Sequence, residues 1–409
     1  MRIQNLRKFL GTGVLPLLML MFFNSLSSGE GRTDIRIGVV NSISGKESST
    51  GKEIRWAYEL AAADINKSGG VFVRAYQKKM PVRLIIADDE SDSAIAAKVT
   101  ETLIVKEKAD LILGTHPSAQ VISSCRMAEK HRIYYHATSC FIPKWLENQF
   151  VYSTNLFFDL DQATSVPFEL MNRLAPEKGP KKHAILMEDT PDGEFFGACF
   201  KKKAALYGYR FDMDRPLPRT RDFLPILMEM KKKGIESLLM FGDPADLITL
   251  MKEIKAMRID LKYIHGWKGA WSIEFSNALG NDAQYVVCDG FWSEDYPYPG
   301  ANRLGSLFHD TFGKHSVSVG LYYGSCQILF QAIEKAGSLD SAEIKKAVAG
   351  HEFLGTVLGD IRYDSSGVAL IQSTAHQWWN GKQAWVYPFH ESAWKVKTMP
   401  VWDRSSTAP

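Results

Sequence analysis

From Ile35 onward, short apolar runs alternate with stretches in which apolar residues recur at helical spacing. Ile35-Arg36-Ile37-Gly38-Val39-Val40 reads as a buried strand that meets a turn at Ser42-Ile43-Ser44-Gly45. Gly51 to Asn66 then carries Ile54, Tyr58, Ala61, Ala62 and Ile65 on one helical face, and Gly69-Gly70 ends that helix. Val82 to Ala87 predicts a second strand ending on Asp88-Asp89, followed by a helix from Ala94 to Lys108. Leu111 to Gly114 predicts a third strand, with a helix from Ser118 and a strand at Ile133-Tyr134-Tyr135.

The same unit returns in the second half. His183 to Met187, Ser237 to Phe241 and Lys262 to His265 predict strands; helices are expected from Gly193 and over Ala245 to Met257. Strands alternating with helices build βαβ units and parallel sheets. Two such runs predict two doubly wound α/β lobes. In sheets of this kind ligands gather at the carboxyl ends of the strands, where loops and helix N-termini converge. That directs attention to Ser44, Ser118, Ser139, Asp192, Asp243 and Trp267.

The first 28 residues break the pattern. Arg2, Arg7 and Lys8 precede an apolar stretch from Val14 to Phe23, about half the ~20 residues that span a bilayer, and small residues Ser25, Ser27, Ser28 and Gly29 follow. This order predicts a secretory signal peptide over residues 1–28, cleaved near Ser27 or Ser28. No cysteine lies at that point to carry a lipid anchor.

A formal charge of +3 over 409 residues carries no nucleic-acid footprint. The lysine runs 201–203 and 231–233 read as solvated helix faces. Five cysteines leave at least one thiol free; Cys125 and Cys140 are the one close pair, and their spacing alone does not establish a bond. The chain lacks a G-x-S-x-G elbow, an H-E-x-x-H pair, a CxxC and a Walker A loop. His116, His136 and His265 fall near strand ends, and satisfied or exposed histidines are the plainer reading of them. An enzyme is not expected, nor a cofactor or metal.

Four stretches carry a family resemblance: Ile37-Gly38-Val39-Val40 followed by Ser44-Gly45 and Gly51; Ala62-Ala63-Asp64-Ile65-Asn66 with Gly69-Gly70; Asp88-Asp89; and Gly114 followed by Ser118. Gly193-Glu194, Gly242 and the segment around Trp267 continue it. The chain resembles the leucine/isoleucine/valine-binding proteins, periplasmic receptors of ABC transporters with the type I fold. The resemblance implies two lobes joined by a three-crossing hinge, closing on a small-molecule ligand. It places the N-terminal lobe at residues 33–153 plus 292–368, the C-terminal lobe at 154–291 plus 369–390, and a tail at 391–409. The hinges fall near Val151–Asn155, Gly290–Trp292 and Gly367–Leu370. It also implies a monomer in the periplasm that delivers its ligand to a permease and binds no nucleic acid.

Residue by residue, Ser118 matches the serine that holds the ligand carboxylate, and Ser139 matches a residue offering a carbonyl to the amine. Phe141 stands where the family has a threonine, with Thr138 or Ser139 available in that role after a small slip. Thr50, Asp192 and Asp243 replace aromatic residues, and Trp267 takes the place of the acidic partner of the ligand's ammonium. A buried ammonium without an acceptor loses at least ~1–3 kcal/mol. An aromatic or apolar carboxylate or amide, stacked on Trp267 with Trp271 and Phe141, is therefore expected rather than a branched-chain amino acid. The alternatives are a cationic amine or amino acid held by Asp192 or Asp243, and a periplasmic sensor feeding a signalling receptor. Asp88 and Asp89 read as structural.

Overall fold

The computed structural model describes residues 31–401, apart from 175, 176, 178 and 392. The predicted signal peptide lies outside the described residues. Among the described residues no helix is long and apolar enough to cross a membrane. From Thr33 onward the chain packs as one compact unit.

Two large sheets organise that unit. The N-terminal sheet is parallel throughout, in the order Val368–Ile371, Ser153–Phe158, Tyr134–Thr138, Leu111–Leu113, Ile35–Asn41, Val82–Asp88. The C-terminal sheet runs Lys382–Tyr387, Thr374–Trp379, Val287–Gly290, Tyr263–His265, Ser237–Phe241, His183–Met187, Met213–Pro216. Its last five strands are parallel; the first two join antiparallel. Helices cover both sheets, as strands buried on both faces require. Each predicted strand and helix forms, with ends within a few residues of those expected: Ser48–Lys67 for the first helix, Ser93–Val105, Ser118–His131, Pro191–Leu206 and Pro244–Ala256.

The changes of sheet differ from the expected hinges. Ser153–Phe158 pairs in register with Tyr134–Thr138 on one side and Val368–Ile371 on the other, so it belongs to the N-terminal sheet along its whole length. The first crossing therefore follows Phe158 rather than lying near Val151–Asn155, and the last follows Ile371 rather than Gly367–Leu370. Residues 154–158 and 369–371, expected in the C-terminal lobe, lie in the N-terminal sheet because ladder pairing holds them there. The middle change of sheet follows Gly290, where the Phe291 N–H donates to the Val317 carbonyl at 3.1 Å.

Several loop tips are pinned by carboxylates at strand ends. Asp88 accepts from Ser44 Oγ at 2.7 Å and from the Ile43 N–H at 2.9 Å. Asp89, fully buried, accepts from Ser42 Oγ at 2.7 Å and Thr115 Oγ1 at 2.6 Å. These bonds tie the ends of the first three strands together, the structural role expected of the pair. The first helix then starts hard against the Ser42 turn: a Cβ on Gly51 would stand 1.8 Å from the Ser42 carbonyl oxygen. Only glycine permits that approach without backbone movement. Gly51→Ala should therefore destabilise the protein by about 1–3 kcal/mol, read as a lowered urea midpoint; an unchanged midpoint would show that the turn yields freely.

Candidate functional site

The carboxyl ends of both sheets face a common cleft. Ser118 opens the helix Ser118–His131 after Pro117, and no side chain caps that N-terminus. It is buried, and its Oγ accepts from the Phe141 N–H at 3.2 Å. Ser139 follows the strand Tyr134–Thr138 with a positive φ of 59° and bonds Tyr322 Oη at 2.7 Å. Phe141 stacks on Phe196 at 5.4 Å, an N-lobe ring against a C-lobe ring.

Ser118, Ser139, Phe141 and Asp192 line one small inner cavity together with His116, Phe157, Phe158, Phe241, Lys268, Trp271 and Asp289. It offers about 10 Å³, room for about one water, so the two lobes lie closed on it. Outside it, a cavity of about 480 Å³ opens past Ser118 and Asp192 between Lys46, Arg126 and Lys144.

The other expected site residues sit elsewhere. Thr50 is buried in the first turn of its helix and does not line the cavity. Asp243 caps the helix Pro244–Ala256 by accepting from the Asp246 N–H at 2.9 Å, and it pairs with Arg221 at 3.2 Å. Trp267 is fully buried among Phe196, Phe200 and His265, with His265 stacked at 3.8 Å. Its φ of 40° places it in the left-handed region, unusual for a bulky residue. The neighbouring Lys268 lines the cavity, and so does Trp271. The cleft therefore holds a cation at the position next to the one where the family resemblance placed an acid.

Lys268 anchors a buried ion cluster that no local sequence signal announced. Its ammonium lies 2.9 Å from Glu188 and 3.5 Å from Glu47, and His116 Nε2 lies 3.6 Å from Glu47. Burial alone would neutralise Glu47 and Lys268, but each compensates the other. Glu47 is driven well below the carboxylate range, by Lys268 first and then His116, and Glu188 and Glu47 hold Lys268 above the usual lysine range. Glu47 belongs to the N-terminal lobe, and Glu188 and Lys268 to the C-terminal lobe, so the cluster spans the cleft. Lys144 and Asp192 make a second bridge across it at 2.7 Å.

Glu53 makes a third connection. Its Oε1 accepts from the Ile273 N–H at 3.0 Å and its Oε2 from Ser316 and Ser318 at 2.5 and 2.7 Å. The histidines do not converge: His136 bonds Tyr134 and Thr154, and His265 bonds Tyr263. Among the described residues no group of His, Cys, Asp and Glu could hold a metal. All five cysteines are free, Cys125 and Cys140 included.

The family model of the periplasmic binding proteins matches residues 34–382, and the chain belongs to that family. A Leu/Ile/Val-binding protein homolog 2 from Brucella abortus is 22% identical over 356 residues, covering 87% of this chain and 93% of its own. The solved branched-chain amino acid transporter substrate-binding protein LivJ from Streptococcus pneumoniae, in complex with isoleucine, superposes with a TM-score of 0.75 at 20% identity, over 86% of this chain and 97% of LivJ. A solute-binding protein of an ABC transporter from Rhodopseudomonas palustris, in complex with 3,4-dihydroxybenzoic acid, superposes at 0.71 with 19% identity, over 92% and 99%. The fold is thus the type I periplasmic binding fold.

Burial raises the Glu53 carboxyl from an ordinary 4.5 to about 7, against the bonds from Ser316, Ser318 and Ile273. Between these values folded Glu53 holds a proton that the unfolded chain has released. Its contribution is most favourable below about pH 4.5 and is lost as the pH rises through about 7. The difference amounts to about 3 kcal/mol. Wild type should therefore gain about that much stability over Glu53→Gln on going from pH 8 to pH 4.5, in paired urea titrations. A difference that stays flat with pH would remove Glu53 as the titrating group.

Proposed function

We propose that this chain is a periplasmic solute-binding protein that captures a small molecule between its lobes and presents it to an ABC transporter permease. The ligand class is an aromatic or apolar carboxylate, or its amide. The observation that carries this reading is the lining of the inner cavity: Phe141, Phe157, Phe158, Phe241 and Trp271 surround it, and Ser118 stands at an uncapped helix N-terminus on one side. Rings offer stacking and apolar burial, and the helix N-terminus offers N–H donors and the positive end of a dipole to a carboxylate. Lys268 adds a cation to the wall. The complex of the Rhodopseudomonas protein with an aromatic acid agrees with this choice.

A cationic ligand is less well served. Asp192 is engaged by Lys144 and Asp243 by Arg221 and a helix cap. Either would have to release a partner before receiving an ammonium.

In the mechanism, ligand docks first on the N-terminal lobe, its carboxylate at Ser118. The C-terminal lobe then swings over, bringing Phe241, Lys268 and Trp271 onto the other face. The inner cavity, about 10 Å³ with the lobes this close, widens to take the ligand. Ligand drives the motion by binding the closed form better than the open one. The closed form is the surface a permease would read.

A thermal-shift and calorimetry panel tests the ligand class with aliphatic amino acids, aromatic carboxylates, amides and cationic amines. A member at a hundredfold excess over its Kd adds about 2.7 kcal/mol of stability. Aromatic carboxylates or amides should stabilise the protein and leucine should not; the reverse result would reject the ligand class while leaving the family intact. Ser118→Ala and Trp271→Ala should each weaken binding about tenfold or more. Trp267→Ala should instead cost about 3–5 kcal/mol of stability, as an emptied core site does.

A further inference from the structure

Asp289 ends the strand Val287–Gly290, within the inner cavity wall, and was not among the residues the sequence singled out. It is 2% exposed. Its Oδ1 accepts from Trp271 Nε1, which fixes the carboxyl plane against the ring. Its Oδ2 is buried and has no hydrogen-bond partner. A buried polar atom left in that state costs free energy that a ligand donor can recover. The other carboxylate on the wall, Asp192, is taken up by Lys144 at 2.7 Å.

We infer that Asp289 reads a hydrogen-bond donor on the ligand, so that the preferred ligand is an aromatic acid bearing a ring hydroxyl or amino group, its carboxylate at Ser118 and its donor at Asp289 Oδ2. The inference rests on the ligand class proposed above and narrows it. Two features keep the selection strict. Phe157, Phe158, Phe241 and Phe141 supply no polar atom that could replace Asp289 as acceptor. The Trp271 bond also holds Asp289 in one orientation, so a ligand lacking the donor leaves the oxygen stranded rather than turned away. Burial holds this carboxyl well above the usual range, so its proton is released to solvent as the ligand's donor takes its place at Oδ2, which favours the ionised acceptor form. A site built around a polar contact discriminates more sharply than an apolar pocket does.

The experiment is isothermal titration of the mature protein with benzoate and with 3- and 4-aminobenzoate and 3- and 4-hydroxybenzoate, repeated on Asp289→Asn. Asparagine keeps an oxygen for Trp271 and turns an N–H toward the cavity in place of the acceptor. Wild type should bind at least one amino-substituted acid ten times or more tighter than benzoate, and Asp289→Asn should bring that ratio to about one. Should the variant fail to fold, Trp271→Phe, which removes the orienting N–H and keeps a ring, should cut the ratio at least threefold. Equal binding of substituted and unsubstituted acids by wild type overturns the inference and leaves the aromatic-acid reading in place. A ratio that survives in the variant overturns the role of Asp289. If none of the acids binds, the ligand class itself fails, and this inference fails with it.

Discussion

The closed arrangement depends on a lysine buried between two glutamates. Lys268, Glu47 and Glu188 are charged groups withdrawn from water, and each is tolerable only beside the others. Two members come from one lobe and one from the other, so complete compensation exists only when the lobes meet. The net gain from such a cluster is modest, since Coulomb attraction and desolvation nearly cancel. Its geometric demand is severe, and that demand fixes how the lobes register. Phe141 and Phe196, from opposite lobes, then stack, and the aromatic walls come together.

The elements that could be read from the chain are those whose information is local. Short apolar runs mark Ile35–Asn41, His183–Met187 and Ser237–Phe241, and their observed ends fall where turn residues stand. The carboxyl-end rule led to Ser118, Ser139 and Asp192 and the family resemblance to Phe141, and the structure gathers all four on one cavity. The C-terminal hairpin was also within reach: Asn380-Gly381 adopts positive φ at both positions, 50° and 77°, between two apolar strands. That dipeptide is a strong hairpin signal.

What escaped depends on pairing over long distances or on a single dihedral angle. Sheet membership of 154–158 and 369–371 is decided by ladder partners, those between 155–158 and 368–371 more than two hundred residues apart in sequence. Trp267 and Lys268 are neighbours with opposite fates, because a left-handed turn sends one ring into the core and the next ammonium into the cleft. No spacing rule distinguishes them. The ion cluster and Asp289 are likewise set by the meeting of distant segments, and a charged residue in a loop gives no sign that it will be buried.

The strand order also governs when the molecule can become itself. The edge strand Val368–Ile371 is the final piece of the N-terminal sheet, and the antiparallel pair 374–387 is the final piece of the other. A chain synthesised from its N-terminus thus has two unfinished sheets until residues 368–387 exist. Large chains that fold late expose strand edges for longer, and partners that hold them extended have a wide interval in which to act. For a protein proposed to act in the periplasm, the interleaved crossings postpone completion of both sheets until residues 368–387 have been made.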